Sequence, residues 1–173
     1  MIVDSRLAGV APDGLSPVEA AALPLVGVTA YIAVHDRAEV RPGQNVLVHG
    51  GTGGVGHVVV QLVKALGARV TATVSTEAKR EAAASLGADE VLLREDTPEN
   101  QFETVIDTIG GANLSHSFRQ VVTNGRVVTI AARTTADLTP LHGKNATFHA
   151  VFMGLPLITG EGRERHGAII LKR

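Results

Sequence analysis

A chain of 173 residues is long enough to bury one substantial core, and 45% hydrophobic against 19% charged residues excludes a disordered polypeptide. A formal net charge of -1 and 3% aromatic residues, with no tryptophan, remove the basic surface and the stacking platforms that nucleic-acid binding uses. The absence of cysteine excludes disulfides, thiolate-held zinc and a cysteine nucleophile.

Residues 2–10 read as a short strand, followed by turn chemistry at Pro12-Asp13-Gly14. Ser16-Pro17-Val18-Glu19 supplies an N-cap, a proline at the first helical position and a glutamate at the third, which is a capping box. That helix is expected to be short, with Pro24 ending it, and a second helix follows over about 26–38. Arg41-Pro42-Gly43-Gln44 is a turn. Residues 45–49 (NVLVH) are an apolar run suited to a buried parallel strand. After a glycine-rich turn, Val55, Val58, Val59, Leu62, Val63 and Leu66 mark one face of a helix that Gly67 stops. Residues 69–74 read as a strand, 76–86 as a helix ended by Gly87, and 90–93 as a third strand. Residues 97–103 are a poor helix or a loop. A fourth strand over 104–109 leads into Gly110-Gly111 and a helix over 112–122. Asn124-Gly125 is a turn before a fifth strand at 126–131. Residues 132–146 are irregular, and 146–153 form a sixth strand. No stretch approaches the roughly 20 apolar residues of a membrane span, and the start lacks a signal-peptide pattern, so the cytoplasm is the expected location.

Strands alternating with helices of this length indicate βαβ units, hence an α/β Rossmann-type doubly wound sheet of six parallel strands in spatial order 3-2-1-4-5-6. The first strand lacks a partner, and a helix beginning near Gly162 has barely started when the chain stops. Both ends are therefore expected to be cuts within a larger protein.

Gly51-x-Gly53-x-x-Gly56 follows an apolar strand and opens an apolar-faced helix, the context a dinucleotide fingerprint requires. Gly51 is expected to allow the tight turn, Gly53 to let backbone approach the pyrophosphate, and Gly56 to pack helix against strand. Free amides of the turn, including those of Thr52, Gly54 and Val55, then face the phosphates, aided by the helix dipole. An NAD site usually places a carboxylate at the end of the second strand. Here that end is Thr73-Val74-Ser75-Thr76, and Glu77 lies in the following helix. Ser75 with Lys79 suits a 2′-phosphate, so NADPH is favoured over NADH; Arg80 is assigned to the solvated helix face.

The segments LPLVGVTAYIAV, RPGQNVLVHGGTGGVGHVVVQLVKALGARVTATVST and KREAAASLGADEVL resemble the medium-chain dehydrogenase/reductase superfamily, and within it the zinc-free quinone oxidoreductases (zeta-crystallin-like proteins). The resemblance runs over about residues 3–160. It implies a GroES-like catalytic domain around the nucleotide domain, most of it outside this chain. Residues 1–22 would be the end of its N-terminal part, 23–154 the NADPH-binding domain, and 155–173 the start of an incomplete C-terminal return. It further implies hydride transfer from NADPH to a quinone or an α,β-unsaturated carbonyl, without zinc. Carried over singly, Thr29 matches a threonine near the nicotinamide, Gly53, Gly54 and Val55 the pyrophosphate turn, and Ser75 and Lys79 the 2′-phosphate contacts. Arg94 stands where some relatives have a tyrosine over the adenosine. Thr108 and Gly110 sit where the ribose passes; Ala131, Phe152 and Met153 lie where backbone would meet the carboxamide. In the family the sixth strands of two subunits pair, which implies a homodimer through residues 146–154.

Seven histidines are scattered without metal-binding spacing, so no metal site is expected. Ser115-His116-Ser117 lacks a strained nucleophile elbow and is assigned to the surface. Tyr31, the only tyrosine, is a candidate proton donor, although helical spacing from Val28 and Val34 also suits a packed side chain. No other catalytic residue is named. Two alternatives remain open: an enoyl reductase module of a polyketide or fatty acid synthase, and a non-catalytic NADPH-binding protein. A fragment lacking most of its substrate domain is expected to be inactive by itself.

Overall fold

The computed structural model describes residues 4–170. The elements in chain order are α1 (Pro17–Tyr31), β1 (Asn45–His49), α2 (Gly56–Ala65), β2 (Arg69–Val74), α3 (Arg80–Ser85), β3 (Glu90–Leu93), β4 (Phe102–Asp107), α4 (Asn113–Gln120), β5 (Val121–Thr129), α5 (Thr139–Gly143), β6 (Thr147–Ala150), α6 (Leu155–Thr159) and α7 (Arg163–Ile170). All six strands are parallel in the order β3-β2-β1-β4-β5-β6, as the alternation of strand and helix implies.

Successive residues of a strand point to opposite faces of the sheet. On one face Val46 and Val48 pack with Ala30, Ala33 and Val34 of the first helical segment and Val59, Val60 and Val63 of α2. On the other, Leu47, Val105 and Val127 pack with Leu114 and Phe118 of α4 and Leu141 of α5. Phe118 meets Phe148 of β6 edge-on, with ring centroids 5.4 Å apart. Every strand therefore runs up from the sheet's amino edge and delivers its following loop to the carboxyl edge.

Several local expectations are corrected. Residues 5–7 form a 3-10 turn, and no strand occurs over 4–10; residues 2 and 3 lie outside the described residues. That turn packs on α7, where a Cβ on Gly167 would lie 2.1 Å from the Arg6 carbonyl oxygen. The capping box forms, with the Ser16 amide donating to Glu19 Oε2 at 2.8 Å. Pro24 does not end α1. The helix passes through it and continues as a π-helical turn over Ile32–Arg37. Pro24 lies on the exposed part of α1, while burial of Val28, Ala30, Ala33 and Val34 holds the downstream half. The combined Pro17–Arg37 helix is long and apolar enough to cross a membrane by length and composition, which corrects the expectation that no such stretch exists; 28% of that window is buried. The Asn124-Gly125 turn is absorbed into β5 as a bulge, with Asn124 at φ 60° and the register against β4 shifting between Phe102 and Thr104.

Candidate functional site

The carboxyl edge of the sheet carries the glycine turn between β1 and α2. Its left-handed residue is Gly50, at φ 73°, rather than Gly51. Gly51 is required for closeness instead: a Cβ there would lie 2.7 Å from Ala72 Cβ on β2. At Gly56 a Cβ would lie 2.0 Å from the Gly50 carbonyl oxygen, so only glycine lets α2 start this close to β1. Gly53 donates its amide to the Gly50 carbonyl at 2.8 Å and closes the turn. Among the described residues, the amides of Thr52, Gly54, Val55 and Gly56 have no backbone acceptor. They open a ten-residue helix, so unpaired donors and the positive end of the helix dipole converge there. His57, one residue into that helix, has Nδ1 2.9 Å from the Gly53 carbonyl oxygen and so also steadies the turn.

Beside the turn lies a cavity of about 200 Å³. Gly50, Thr52 and Gly53 form one wall, Thr73, Val74 and Ser75 at the end of β2 another, and Lys79, Arg94 and Ile109 complete it. Lys79 Nζ donates to Ser75 Oγ at 3.2 Å. Glu77, the nearest acidic residue after β2, is bound by the Arg80 guanidinium, which holds its carboxyl below the usual range. The end of β2 is thus cationic, not acidic. Arg80 also donates to the Val91 carbonyl and is held as a strap between α3 and β3. A larger cavity of about 280 Å³, among Asn45, Arg69, Glu90 and Phe102, lies at the opposite, amino edge of the sheet. Ligands of open α/β sheets bind outside the carboxyl ends of the strands, which favours the smaller one.

The structure brings Thr52, Gly53, Ser75 and Lys79 together around this cavity and adds Arg94 to them. Gly51, Gly54, Val55 and Gly56 belong to the same turn. Thr108 leans over the turn, its hydroxyl donating to the His49 carbonyl at 2.7 Å. Gly110 and Ala131 meet in adjacent loops, since a Cβ on Gly110 would lie 2.0 Å from the Ala131 carbonyl oxygen. Thr29 is buried in α1, with its hydroxyl donating to the Leu25 carbonyl at 2.6 Å. Phe152 is 65% exposed and Met153 half-buried beyond β6. Thr29, Gly110, Ala131, Phe152 and Met153 do not line the cavity. Tyr31 also stands away from it: its ring stacks on His35 at 4.2 Å, and the Arg165 guanidinium lies 5.6 Å over its face.

The sequence reading missed a layer of buried polar side chains beneath the loops. His49 is fully buried, with Nδ1 3.0 Å from Thr73 Oγ1 and Nε2 2.7 Å from Gln120 Oε1. Burial pushes the His49 imidazole below the ordinary histidine range. Asp107 is equally buried and accepts from the Ile109 and Gly110 amides, Asn113 Nδ2 and Ser117 Oγ. Ser117 is therefore a core residue, which corrects its assignment to the surface. The available signal was His49 and Asp107 directly after the apolar runs Val46-Leu47-Val48 and Val105-Ile106.

Residues 54–163 match the family described as zinc-binding dehydrogenase. The chain is 33% identical over 167 residues to the phthioceranic/hydroxyphthioceranic acid synthase of Mycobacterium tuberculosis, spanning 88% of this chain but 8% of that protein. It resembles a crystal structure of an alcohol dehydrogenase superfamily protein from Novosphingobium aromaticivorans at 39% identity and TM-score 0.91, over 97% of this chain and 53% of that one. It also resembles the quinone oxidoreductase from Thermus thermophilus, solved with and without NADPH, at 31% identity and TM-score 0.79 over 93% and 55% of the two chains. The chain thus spans about half the length of these solved relatives. As to the metal in the family's description, among the described residues no three His, Asp or Glu side chains are grouped to hold an ion, and the sequence has no cysteine. The donors of this segment do not fit a zinc centre.

Proposed function

The chain belongs to the zinc-binding dehydrogenase family of the medium-chain dehydrogenase/reductase superfamily, and from that premise we propose that it is the NADPH-binding half of a zinc-independent oxidoreductase of the quinone oxidoreductase branch. The observation that carries the reading is the cavity where a turn of unpaired amides meets Ser75, Lys79 and Arg94. The amides of Thr52, Gly54, Val55 and Gly56 hold the pyrophosphate, and Lys79, with Ser75 oriented beside it, takes the 2′-phosphate. Bound there, NADPH supplies a hydride from its nicotinamide ring to a quinone or an α,β-unsaturated carbonyl. Thr29, Thr108, Gly110, Ala131, Phe152 and Met153 are assigned to the ribose and nicotinamide end, in loops along the same edge. The NADPH complex of the Thermus thermophilus relative supports this cofactor.

A second reading, an enoyl reductase segment of a polyketide synthase, is supported by a match over 88% of this chain, at 34% identity, to a highly reducing polyketide synthase of Aspergillus niger, of which it spans 6%. Both readings share the cofactor site and differ in the acceptor. We further propose a cytoplasmic protein that pairs with a second copy through residues 146–154, where β6 is an edge of the sheet.

Calorimetric titration of the chain with NADPH and NADH tests the cofactor. NADPH is expected to bind at least about tenfold more tightly, the value of one charge-assisted contact. Equal affinity for the two would overturn the 2′-phosphate assignment, and no binding of either would overturn the reading. NADPH oxidation by the full-length protein, with a benzoquinone against an enoyl thioester as acceptor, separates the two enzymes.

A further inference from the structure

One row of paired residues crosses the sheet just below the cofactor loops. Thr73 pairs with His49, His49 with Asp107 and Asp107 with Thr129. All four are polar, and none is more than 1% exposed. Each strand end fastens a loop. Thr73 holds the glycine turn twice, its carbonyl accepting from Gly51 N at 3.0 Å and its hydroxyl oxygen from Gly50 N at 3.3 Å. Asp107 Oδ1 accepts from the amides of Ile109 and Gly110, both at 2.8 Å. Thr129 Oγ1 accepts from Ala131 N at 3.1 Å.

A buried polar group is expensive unless paired, so a row of four needs a geometric reason. The reason is directionality. With Gln120 presenting Oε1, His49 donates from Nε2 and keeps Nδ1 as an acceptor. The Thr73 hydroxyl then donates its one hydrogen to His49 Nδ1, while a lone pair of the same oxygen accepts from Gly50 N. The imidazole thus sets which way Thr73 faces, and Thr73 sets where the turn begins.

We propose that this buried row is a positioning device for the cofactor loops, in which Thr73, oriented by His49, sets the pyrophosphate turn and Thr129 sets the Ala131 loop. None of the four is a catalytic residue, and the inference rests on the NADPH reading above. The test compares Thr73→Val and Thr129→Val, which keep shape and lose the hydroxyl, with Thr73→Ser and Thr129→Ser. NADPH, NADH and adenosine 2′-monophosphate are the probes, with thermal melting measured alongside. Each Val variant is expected to weaken NADPH and NADH by the same roughly three- to tenfold factor, the loss of one neutral hydrogen bond. Adenosine 2′-monophosphate, which has no pyrophosphate or nicotinamide, is expected to bind unchanged to Thr129→Val, whose residue lies outside the cavity that Thr73 helps to line, and the Ser variants to recover dinucleotide affinity. The proposal is overturned if the Val variants bind both dinucleotides as the wild type does, or if all three ligands weaken together on Thr129→Val as the fold loosens. Should Thr73→Val fail to fold, Thr129→Val carries the same expectation through a different loop. A wild-type chain that binds neither dinucleotide would instead remove the reading on which the inference stands.

Discussion

Replacing Gly56 with alanine challenges one of the two closest backbone approaches in the site. The new Cβ would lie 2.0 Å from the Gly50 carbonyl oxygen, 2.8 Å from the carbonyl carbon and 3.2 Å from Gly51 Cα. All three are backbone atoms, so no rotamer relieves the clash. Reaching ordinary contact at 3.4 Å requires the turn and α2 to separate by about 1.4 Å. Overpacking of this kind costs about 1–3 kcal/mol, and a backbone clash belongs at the upper end. Better helix propensity returns at most about 1 kcal/mol. A net loss of about 2 kcal/mol lowers the melting temperature of a domain this size by roughly 4–8 °C. A shift beyond 1 Å also misaligns the free amides, and NADPH affinity is expected to fall at least about tenfold, since misplacement on that scale can reduce function a hundredfold. Gly54→Ala is the control: a Cβ there meets nothing within 4 Å and the φ is not positive. It should melt like the wild type or gain about 0.4–1 kcal/mol, yet bind NADPH more weakly because its methyl group occupies phosphate space. Scanning calorimetry and cofactor titration read both variants. Gly56→Ala with wild-type melting and affinity would refute the argument from closeness, and Gly54→Ala with undiminished affinity would move the phosphate elsewhere.

Lys79→Ala is expected to weaken NADPH by about 1–3 kcal/mol while leaving NADH nearly unchanged in the same titration; an equal loss for both would assign Lys79 to the fold. Asp107→Asn keeps the shape but turns an NH₂ group toward donors that met a carboxylate oxygen. With two hydrogen bonds to a charged acceptor lost, unfolding in urea should show a deficit of about 3 kcal/mol or more; a deficit under about 1 kcal/mol would mean the loop is held by other contacts. His49, His149 and His166 are all held below the ordinary histidine range by burial. The unfolded chain therefore binds protons more readily, so their contribution is complete above about pH 6.5 and is lost as pH falls below that value. Urea midpoints from pH 7.5 to 5 should fall, with His49 adding up to about 1.4 kcal/mol per pH unit, and His49→Gln should flatten part of the slope. A profile that stays level down to pH 5 would show these imidazoles already charged in the fold.

The architecture was legible because its signals are local and repeated. Periodic valines from Val55 to Val63 and the stop at Gly67 define α2, and the sheet order follows once six strands alternate with helices. Pro24 misled because a local rule was overridden by burial of residues four to ten positions further on, which single-sequence reasoning does not see. Gly50 was hidden among its neighbours: five glycines lie between residues 50 and 56, but which one takes positive φ depends on how Thr73 and Thr108 grip the turn. Arg94 was placed at the adenosine end by resemblance, and the cavity adds the reason, a cation on the same wall as Lys79. Two members of the polar row left a trace in the sequence, but the row as a unit was hidden for a different cause. His49, Thr73, Asp107 and Thr129 are far apart in the chain, and their shared function exists only in the register of four strands.

The two halves of the candidate site solve different physical problems, and this separation argues for the cofactor more strongly than either half does. Backbone amides at a helix start attract any diphosphate, so the turn supplies affinity and no choice between dinucleotides. Choice has to arise at the end of β2, where a ribose hydroxyl calls for a carboxylate and a 2′-phosphate for a cation. There the nearest carboxylate after the strand, Glu77, is bound by Arg80, while among the described residues Lys79 makes its side-chain hydrogen bond to Ser75. Were Glu77 released toward the cavity, the same wall would favour an unphosphorylated ribose. The Glu77–Arg80 pair is exposed and adds little to stability by itself. What it removes is the acidic competitor, leaving Lys79 and Arg94 to define the charge that the cavity presents.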